Sequence, residues 1–407
     1  MRRTIFIAFS IVALGTFGYS LFYFHAPLAL VPIVLKEAAS AAYSGSAVSV
    51  ADLHTDYDST VATKHARILL VPGHEPDSGG AEFKSAKEHD MVADIAQSLQ
   101  GYLDAEGNYT AFTTRSRHAW DSTFSNYFAQ DWSAIVAWDA SARASAETLG
   151  LDPTPLVDHL SAPTNVALRL YGITKWADEN SIDITIHMHF NDHDRPNLNV
   201  AGPYSGFVIY VPAQQYDNST TSHAVAESML RRLTLYNPVS NLYGEHAGIV
   251  EDPELIAVGA NNTAGAASML IEYDYIYQPQ FANAAVRPLA LKDLAYQTYL
   301  GLQDFFTRHA PSDAIDEYDP STLYAWDTPV VGKSADPKDI YALQTALMMD
   351  GDYPPEGKSM NDCPHSGTFG QCTLMALAAF QHKNGISKEG VDGPKTFALL
   401  HNIYWKQ

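Results

Sequence analysis

The chain has 407 residues, of which 46% are hydrophobic and 11% aromatic, and its formal net charge is −21 at pH 7. A chain of this length exceeds one ordinary hydrophobic core, which predicts at least two domains. The negative charge repels phosphate backbones and argues against nucleic acid as a partner.

The N-terminus predicts a membrane anchor. Arg2 and Arg3 form a basic start, and residues 5–24 then run without a charge. About 20 apolar residues cross a bilayer as a helix, with the basic side in the cytoplasm. Because a signal-peptide core has only roughly 7–15 residues, we expect a retained anchor at 1–35 and a tether at 36–65. Small residues at 38–42 leave a cleaved signal as the alternative. In both cases the protein body lies outside the cytoplasm, in the cell envelope or secreted.

The next segments alternate between strand and helix. Residues 68–71 are a short apolar run ended by Pro72-Gly73, which is typical of a buried strand and a turn. A helical stripe follows, and Gly107 lies just past its end, before a second strand at 109–113. The stripe consists of Val92, Ile95, Leu99 and Leu103. This order predicts an α/β fold with a mixed, largely parallel central sheet flanked by helices.

The remaining segments complete a domain at 66–309 and add a smaller unit. Residues 116–165 are rich in Ser, Ala, Asp and Trp, and we interpret them as an insertion of helices and loops. Further predicted elements are a helix at 165–179, strands at 184–190, 207–211 and 268–273, and a helix at 287–308. Residues 310–336 hold several Pro, Asp and Ser and are the predicted linker to a compact unit at 337–407.

Two polar residues close to the first strand are candidates for a site. His74 directly follows the strand and its turn, where ligands bind in open α/β sheets. Glu88 heads the apolar stripe of the helix, and a carboxylate buried there needs a partner such as a metal. The plain alternatives are an exposed loop histidine and a glutamate that merely favours the helix dipole.

The strand at 184–190 carries a stronger signal. Its side chains alternate, so that His187 and His189 share one face while apolar residues take the other. Paired imidazoles suit a transition metal, although two core histidines bonded to carbonyl groups are the alternative. Glu272 ends another apolar strand, where an exposed strand terminus is the competing interpretation.

These residues belong to a series of short motifs spread over residues 67–308. The motifs are Leu70-Val71-Pro72-Gly73-His74, Gly79-Gly80-Ala81, Glu88-His89-Asp90, Thr114-Arg115, His187-Met188-His189-Phe190-Asn191, Gly206-Phe207-Val208-Ile209-Tyr210 and Leu270-Ile271-Glu272-Tyr273. The series resembles the zinc-dependent N-acetylmuramoyl-L-alanine amidases. Asn191, two residues after His189, matches the family's Ser-Ile-His-x-Asn motif with His189 at the ligand position.

The resemblance implies a role for each matching residue. His74, Glu88 and His189 would hold Zn²⁺ with an open position for water, which is a known catalytic zinc shell. Glu272 would be the general base and would later protonate the leaving amine. The bond cut would be the amide between the lactyl group of N-acetylmuramic acid and L-alanine.

Three departures from the family pattern affect the site. His187 replaces the usual Ser, so His187 is an alternative zinc ligand to His189. Glu75 follows His74 where Gly is common, which would alter the pocket rim. Asp274 stands where a Gly is usual. The insertion at 116–165 is long and could form a lid or a regulatory element.

The unit at 337–407 resembles the three-helix peptidoglycan-binding domain of wall hydrolases. Ile340, Leu343 and Leu347 share one helical face, Thr373 is a predicted N-cap, and Pro394 suits a first helical turn. Cys363 and Cys372 are the only cysteines, and outside the cytoplasm such a pair predicts a disulfide rather than half of a metal site. That bond would contribute about 2–3 kcal/mol to so small a domain.

The sequence therefore predicts a membrane-tethered zinc amidase that acts on peptidoglycan in wall remodelling or cell separation. Its predicted partners are peptidoglycan and, through the N-terminal helix, the membrane, while a protein activator stays unidentified. Two alternatives remain, another zinc peptidase that cuts wall peptides and a degenerate wall-binding adaptor.

Overall fold

The computed structural model describes residues 47–59, 65–149, 156–157, 162–258, 265–308, 324–330, 332–387 and 392–405. The predicted anchor at 1–35 and the first part of the predicted tether lie outside these ranges. Within them, no helix is both long enough and apolar enough to cross a membrane.

A six-stranded sheet forms the centre of the larger unit, in the order β4-β1-β5-β8-β6-β7. Its strands are β1 Ala66–Pro72, β4 Tyr109–Thr113, β5 Ile184–Asn191, β6 Val208–Pro212, β7 Ile249–Asp252 and β8 Ala267–Tyr275, while β2 Glu82–Phe83 pairs with β3 Ala86–Lys87. The first four strands in the order are parallel, β6 is antiparallel to β8, and β7 is parallel to β6. The α/β fold with a mixed, largely parallel sheet is confirmed.

Helices cover both faces of this sheet. They are α1 Val50–Tyr57, α2 Glu88–Glu106, α3 Ser122–Leu149, α4 Thr164–Glu179, α5 Ser219–Tyr236, α6 Pro279–Ala282 and α7 Arg287–Thr307. Ile68 and Leu70 of β1 pack with residues of α2, α5 and α7, whereas Leu69 and Val71 pack with residues of α3 and α4. Because both faces are buried, the strands are continuous apolar runs, as parallel sheets require.

Helix α2 positions one of the candidate site residues. Its predicted apolar stripe is fully buried, with Val92, Ile95, Leu99 and Leu103 all at 0% exposure. The helix ends at Gly107, whose φ of 80° is the left-handed conformation that favours glycine. The stripe holds the helix against the sheet, so that its first residue, Glu88, lies at the sheet's carboxyl edge.

The predicted tether is wrong for residues 50–57, which form helix α1. Ser49 and Asp52 cap its N-terminus reciprocally. Leu53 and Tyr57 are buried, and the Tyr57 ring stacks on Phe306 of α7 with centroids 4.8 Å apart. This segment is therefore part of the folded unit, because its two apolar residues cover the end of α7.

The predicted linker at 310–336 is also shorter than expected. Residues 324–330 pack on the C-terminal unit, where Trp326 and Val330 are fully buried. Asp392 accepts a hydrogen bond from the backbone N–H of Val330 at 3.0 Å. The C-terminal core thus begins before residue 337. Burial of Trp326 in this core removes a large apolar surface from water and holds the segment in place.

The C-terminal unit contains the three predicted helices, α8 Pro337–Met349, α9 Gln371–Lys383 and α10 Pro394–Tyr404. Ile340, Leu343 and Leu347 are buried, and Pro394 lies in the first turn of α10. The N-cap prediction for Thr373 is wrong, since Gly370 precedes α9 and Thr373 lies inside it. Its buried hydroxyl instead accepts a hydrogen bond from Gln344 at 3.0 Å, which ties α9 to α8.

The predicted disulfide between Cys363 and Cys372 is formed. The segment just before Cys363 contacts the larger unit through Asn361, which donates to the carbonyl of Val239 at 3.5 Å and accepts from Ser205 at 3.3 Å. Tyr341 of α8 packs into the core of the larger unit. The two units are therefore in direct contact.

Candidate metal centre

Three predicted site residues meet at the carboxyl edge of the sheet. His74 follows β1, Glu88 begins α2, and His189 lies near the end of β5, which pairs with β1. Their ligand atoms all lie within 4.8 Å of one another. Glu88 Oε1 is 2.7 Å from His74 Nε2 and 3.1 Å from His189 Nδ1. Parallel strands end at the same edge, which is why residues so distant in sequence converge.

The chemistry of this group fits a transition metal. His74 Nε2 is buried and, among the described residues, has no hydrogen-bond partner of acceptable geometry although a carboxylate oxygen is 2.7 Å away. Two imidazole nitrogens and a carboxylate oxygen aimed at one point are the donor set of catalytic zinc sites. Backbone N–H groups of Ala81 and Phe190 hold the Glu88 carboxylate at 2.7 and 3.0 Å.

Glycines leave the space that the three side chains occupy. A Cβ on Gly73 would lie 2.3 Å from His189 Cε1. A Cβ on Gly80 would lie 2.7 Å from Glu88 Oε2 and 2.8 Å from His74 Nε2, and Gly80 has a φ of +81°. The Pro-Gly-His and Gly-Gly-Ala motifs are therefore explained by close packing around the group.

Arg115 holds the loop that carries His74. This buried guanidinium donates hydrogen bonds to the carbonyl groups of Pro72, Gly73, His74, Ser116 and His89. Burial lowers the pKa of Arg115 to about 10, so the side chain is still a cation at neutral pH. The Thr114-Arg115 motif thus supports the loop without belonging to the group.

The electrostatics of the group favour neutral imidazole beside an anion. Burial opposes ionisation of Glu88, but His74 and His189 outweigh it and hold the pKa of Glu88 below its ordinary value. Burial lowers the pKa of His189, which leaves its imidazole neutral. A neutral imidazole is the form that coordinates a metal.

Glu272 lies beside this group, since it is the cross-strand partner of His189 in the β5–β8 pair. Its Oε2 atom is buried and has no hydrogen-bond partner among the described residues. Burial, and then the charges of Glu88 and Glu245, raise the pKa of Glu272 well above its ordinary value. A carboxyl group with raised proton affinity suits proton transfer near neutral pH.

The family model described as N-acetylmuramoyl-L-alanine amidase matches residues 68–304, which include all four of these residues. The chain belongs to this amidase family. It is a hydrolase that acts on peptidoglycan, at the amide between N-acetylmuramic acid and L-alanine.

Solved amidase structures are similar to this amidase in part. The CwlD amidase of Clostridioides difficile, solved in complex with the GerS lipoprotein, is 14% identical with a TM-score of 0.37, and the match covers 60% of this chain and 100% of that chain. Ami1 of Mycobacterium smegmatis is 13% identical with a TM-score of 0.37, covering 60% and 98%. AmiC2 of Nostoc punctiforme is 13% identical with a TM-score of 0.33, covering 60% and 98%. No curated protein matches the chain.

His187, the alternative ligand, is not part of the group that the amidase brings together. It lies two residues deeper along β5, between Val71 of β1 and Leu270 of β8, which separates it from His189 by roughly 7 Å of strand. Burial, aided by His189, lowers the pKa of His187 to about 3. Neither of its ring nitrogens has a hydrogen-bond partner among the described residues.

The two other departures have structural partners in the amidase. Glu75 pairs with Arg169 of α4 at 2.8 Å, which links the rim beside His74 to the helix that follows the predicted insertion. Asp274 lies at a β-bulge after Glu272, where His189 pairs with Glu272 but Asn191 pairs with Tyr275. Its carboxylate accepts from the N–H groups of Gly206 and Tyr275 at 2.6 and 2.7 Å. The Asp274 side chain thus supplies hydrogen-bond acceptors for backbone N–H groups at the bulge.

Sequence reasoning missed Glu245, a buried residue of the loop between α5 and β7. Its carboxylate is surrounded by side chains from four segments of the amidase and lies close enough to raise the pKa of Glu272. The sequence offers little signal for it, because a single charged residue between Gly244 and Gly248 has no periodic pattern.

Proposed function

We propose that His74, Glu88 and His189 hold a Zn²⁺ ion and that Glu272 transfers the proton during amide hydrolysis. The observation that carries this proposal is the convergence of the three ligand atoms within 4.8 Å, with His189 paired to Glu272 across neighbouring strands. The resident zinc would polarise the scissile carbonyl and lower the pKa of its water to about 7.

Residues of the chain account for the proton transfers. Glu272, in its ionised form, takes a proton from the attacking water and later gives it to the leaving nitrogen. The products are the free lactyl carboxylate and a peptide with an N-terminal L-alanine. Burial and the charges of Glu88 and Glu245 raise the pKa of Glu272, which favours retention of that proton between the two transfers.

The test is digestion of purified peptidoglycan by the full chain and by Glu272→Gln. We expect release of peptides with free N-terminal alanine to fall on the order of 10²–10⁴-fold in the variant. Zinc content should be unchanged, because Glu272 is outside the ligand group. The matched control is Glu251→Gln. It changes a partly exposed carboxylate of β7 that accepts a hydrogen bond from Gln214.

The same digestion separates the alternatives. Mass analysis that shows cleavage between amino acids would identify a zinc peptidase. A protein without stoichiometric zinc and without cleavage would identify an adaptor. Equal alanine release by wild type and Glu272→Gln would remove the catalytic assignment.

The C-terminal unit is proposed to bind peptidoglycan and raise the local substrate concentration. Its three helices and the resemblance of its motifs support this role. The test is hydrogen exchange of the full Glu272→Gln chain with and without purified wall. We expect slower exchange in the segment from 337 to 405, and unchanged exchange throughout that segment would contradict the role.

We also propose that residues 1–35 anchor the enzyme on the extracytoplasmic face of the membrane, where it remodels the wall, for instance at cell separation. The uncharged run at 5–24 after two arginines supports the anchor. The full chain should then stay with membranes after alkaline extraction and keep its N-terminus. Release into the soluble fraction with a new N-terminus near residue 42 would indicate a cleaved signal instead.

A further inference from the structure

The carboxylate of Glu245 joins four segments at the edge of the sheet where Glu272 lies. Its side chain accepts hydrogen bonds from Tyr210 of β6 at 2.7 Å, Asn191 of β5 at 3.3 Å, Tyr275 of β8 at 3.4 Å, and Ser240. Glu245 itself is 1% exposed. A buried carboxylate is costly unless it is paired or fully hydrogen-bonded, and four donors satisfy both of its oxygens.

Three of the four donors lie on β8, which carries the proposed catalytic carboxylate, and on the two strands that pair with it. Asn191 follows His189 by two residues on the same strand, and Tyr275 follows Glu272 by three residues across the β-bulge. Tyr210 is on the strand that pairs with β8 on its other side. Glu245 therefore ties the ends of β5 and β8 to the middle of β6, and Glu272 lies on the central strand of these three.

We propose that Glu245 is a positioning residue for amide hydrolysis, which fixes the side chain of Asn191 and the strand ends that flank Glu272. The inference rests on the proposed function, because it assigns Glu245 a role in the reaction of that site. Glu245 is buried, so its proposed role is exerted through the residues that it contacts. With one amide hydrogen bond committed to Glu245, the Asn191 side chain is held in one orientation, two residues after His189.

We expect Glu245 to contribute to the rate by holding its neighbours in place, and not by its charge alone. Glutamine has the same shape, and its Oε1 can accept from Tyr210 and Asn191 while its amide group donates to the hydroxyl groups of Ser240 and Tyr275. Alanine removes all four contacts. Misplacement of reacting groups by about 1 Å can cost on the order of 10²-fold in rate.

The experiment measures kcat and KM for alanine release from soluble muramyl-peptide, together with thermal unfolding and zinc content, on full-length variants. Glu245→Ala should lower kcat on the order of 10- to 100-fold with KM within about twofold of wild type. Glu245→Gln should restore kcat to within about threefold of wild type. Zinc content should be unchanged in both.

Asp252 provides a matched control. It is a fully buried carboxylate that accepts from the N–H groups of Glu254 and Leu255. It lies at the opposite edge of the sheet, because β7 runs antiparallel to β8. Asp252→Asn should leave kcat unchanged, which shows that removal of a buried charge does not by itself impair the enzyme.

The outcomes separate this inference from the proposed function. A folded Glu245→Ala enzyme with kcat within about twofold of wild type, while Glu272→Gln is inactive, would overturn the positioning role alone. If Glu245→Ala does not fold, Asn191→Ala carries the test, since it removes one contact and should lower kcat with zinc retained. The double variant Glu245→Gln with Asn191→Ala should lose no more kcat than Asn191→Ala alone, because the effects of substitutions at contacting residues are not additive. Wild-type kcat in Asn191→Ala would overturn the inference.

Discussion

Replacement of Gly73 by alanine is expected to weaken zinc binding at the site strongly without unfolding the protein. The new Cβ would lie 2.3 Å from His189 Cε1, 2.5 Å from Nε2 and 2.7 Å from Nδ1. Carbon atoms in contact are about 3.5–4.0 Å apart, so the imidazole must retreat by about 1 Å. Gly73 has no positive φ, so its backbone accepts alanine without strain. The effect of the substitution therefore comes from displacement of the His189 imidazole.

The displacement is large compared with the tolerance of a zinc site, where the Zn–N distance is about 2.0–2.1 Å. Loss of outer contacts around a ligand costs about 10–100-fold in metal affinity. Displacement of the ligand itself should cost at least about 100-fold, or roughly 3 kcal/mol. The assay is competition for zinc between the metal-free protein and a chromogenic chelator.

Gly79→Ala is the matched control for this loop. Gly79 has a φ of +87°, but its Cβ would approach His74 no closer than 3.4 Å, which is ordinary contact. Alanine there should cost about 1–2 kcal/mol of stability through backbone strain and leave zinc affinity nearly unchanged. Gly80→Ala combines backbone strain with a clash against Glu88 and His74, so it should lower both the stability and the zinc affinity. Wild-type zinc affinity in Gly73→Ala, or equal losses in Gly73→Ala and Gly79→Ala, would refute the reasoning.

Two further predictions concern the buried histidines. His187→Ala should keep stoichiometric zinc by elemental analysis while losing about 2 kcal/mol of unfolding free energy, and loss of zinc would make His187 a ligand. Burial lowers the pKa of His365 to about 4, so its contribution to stability is complete above pH 6.5 and is lost as the pH falls toward 4. Denaturant unfolding of zinc-free protein should show that wild type loses about 2–3 kcal/mol more than His365→Gln between pH 7 and pH 4.5. Parallel pH dependence of the two proteins would contradict this assignment.

Much of the larger unit follows from local pattern. The apolar runs predicted the strands, and the stripe from Val92 to Leu103 predicted helix α2 and its buried face, because periodicity reports which side of an element meets the core. The positions of His74 and Glu88 at element ends predicted that they would meet, because parallel strands share a carboxyl edge. Elements with weak patterns were predicted less well, as at α1 and around Trp326, where a few apolar residues in polar surroundings pack on distant helices.

By itself, the sequence determined the fold class, the disulfide and the set of residues that could hold a metal. Only the tertiary structure decided which histidine joins the group, since His187 and His189 share a strand face and differ only in depth along it. It alone placed Glu245, whose hydrogen-bond partners Asn191, Tyr210 and Tyr275 are 54, 35 and 30 positions away in sequence. Contacts over such separations leave no periodic trace, because they depend on how the strands align in the sheet and not on any one segment.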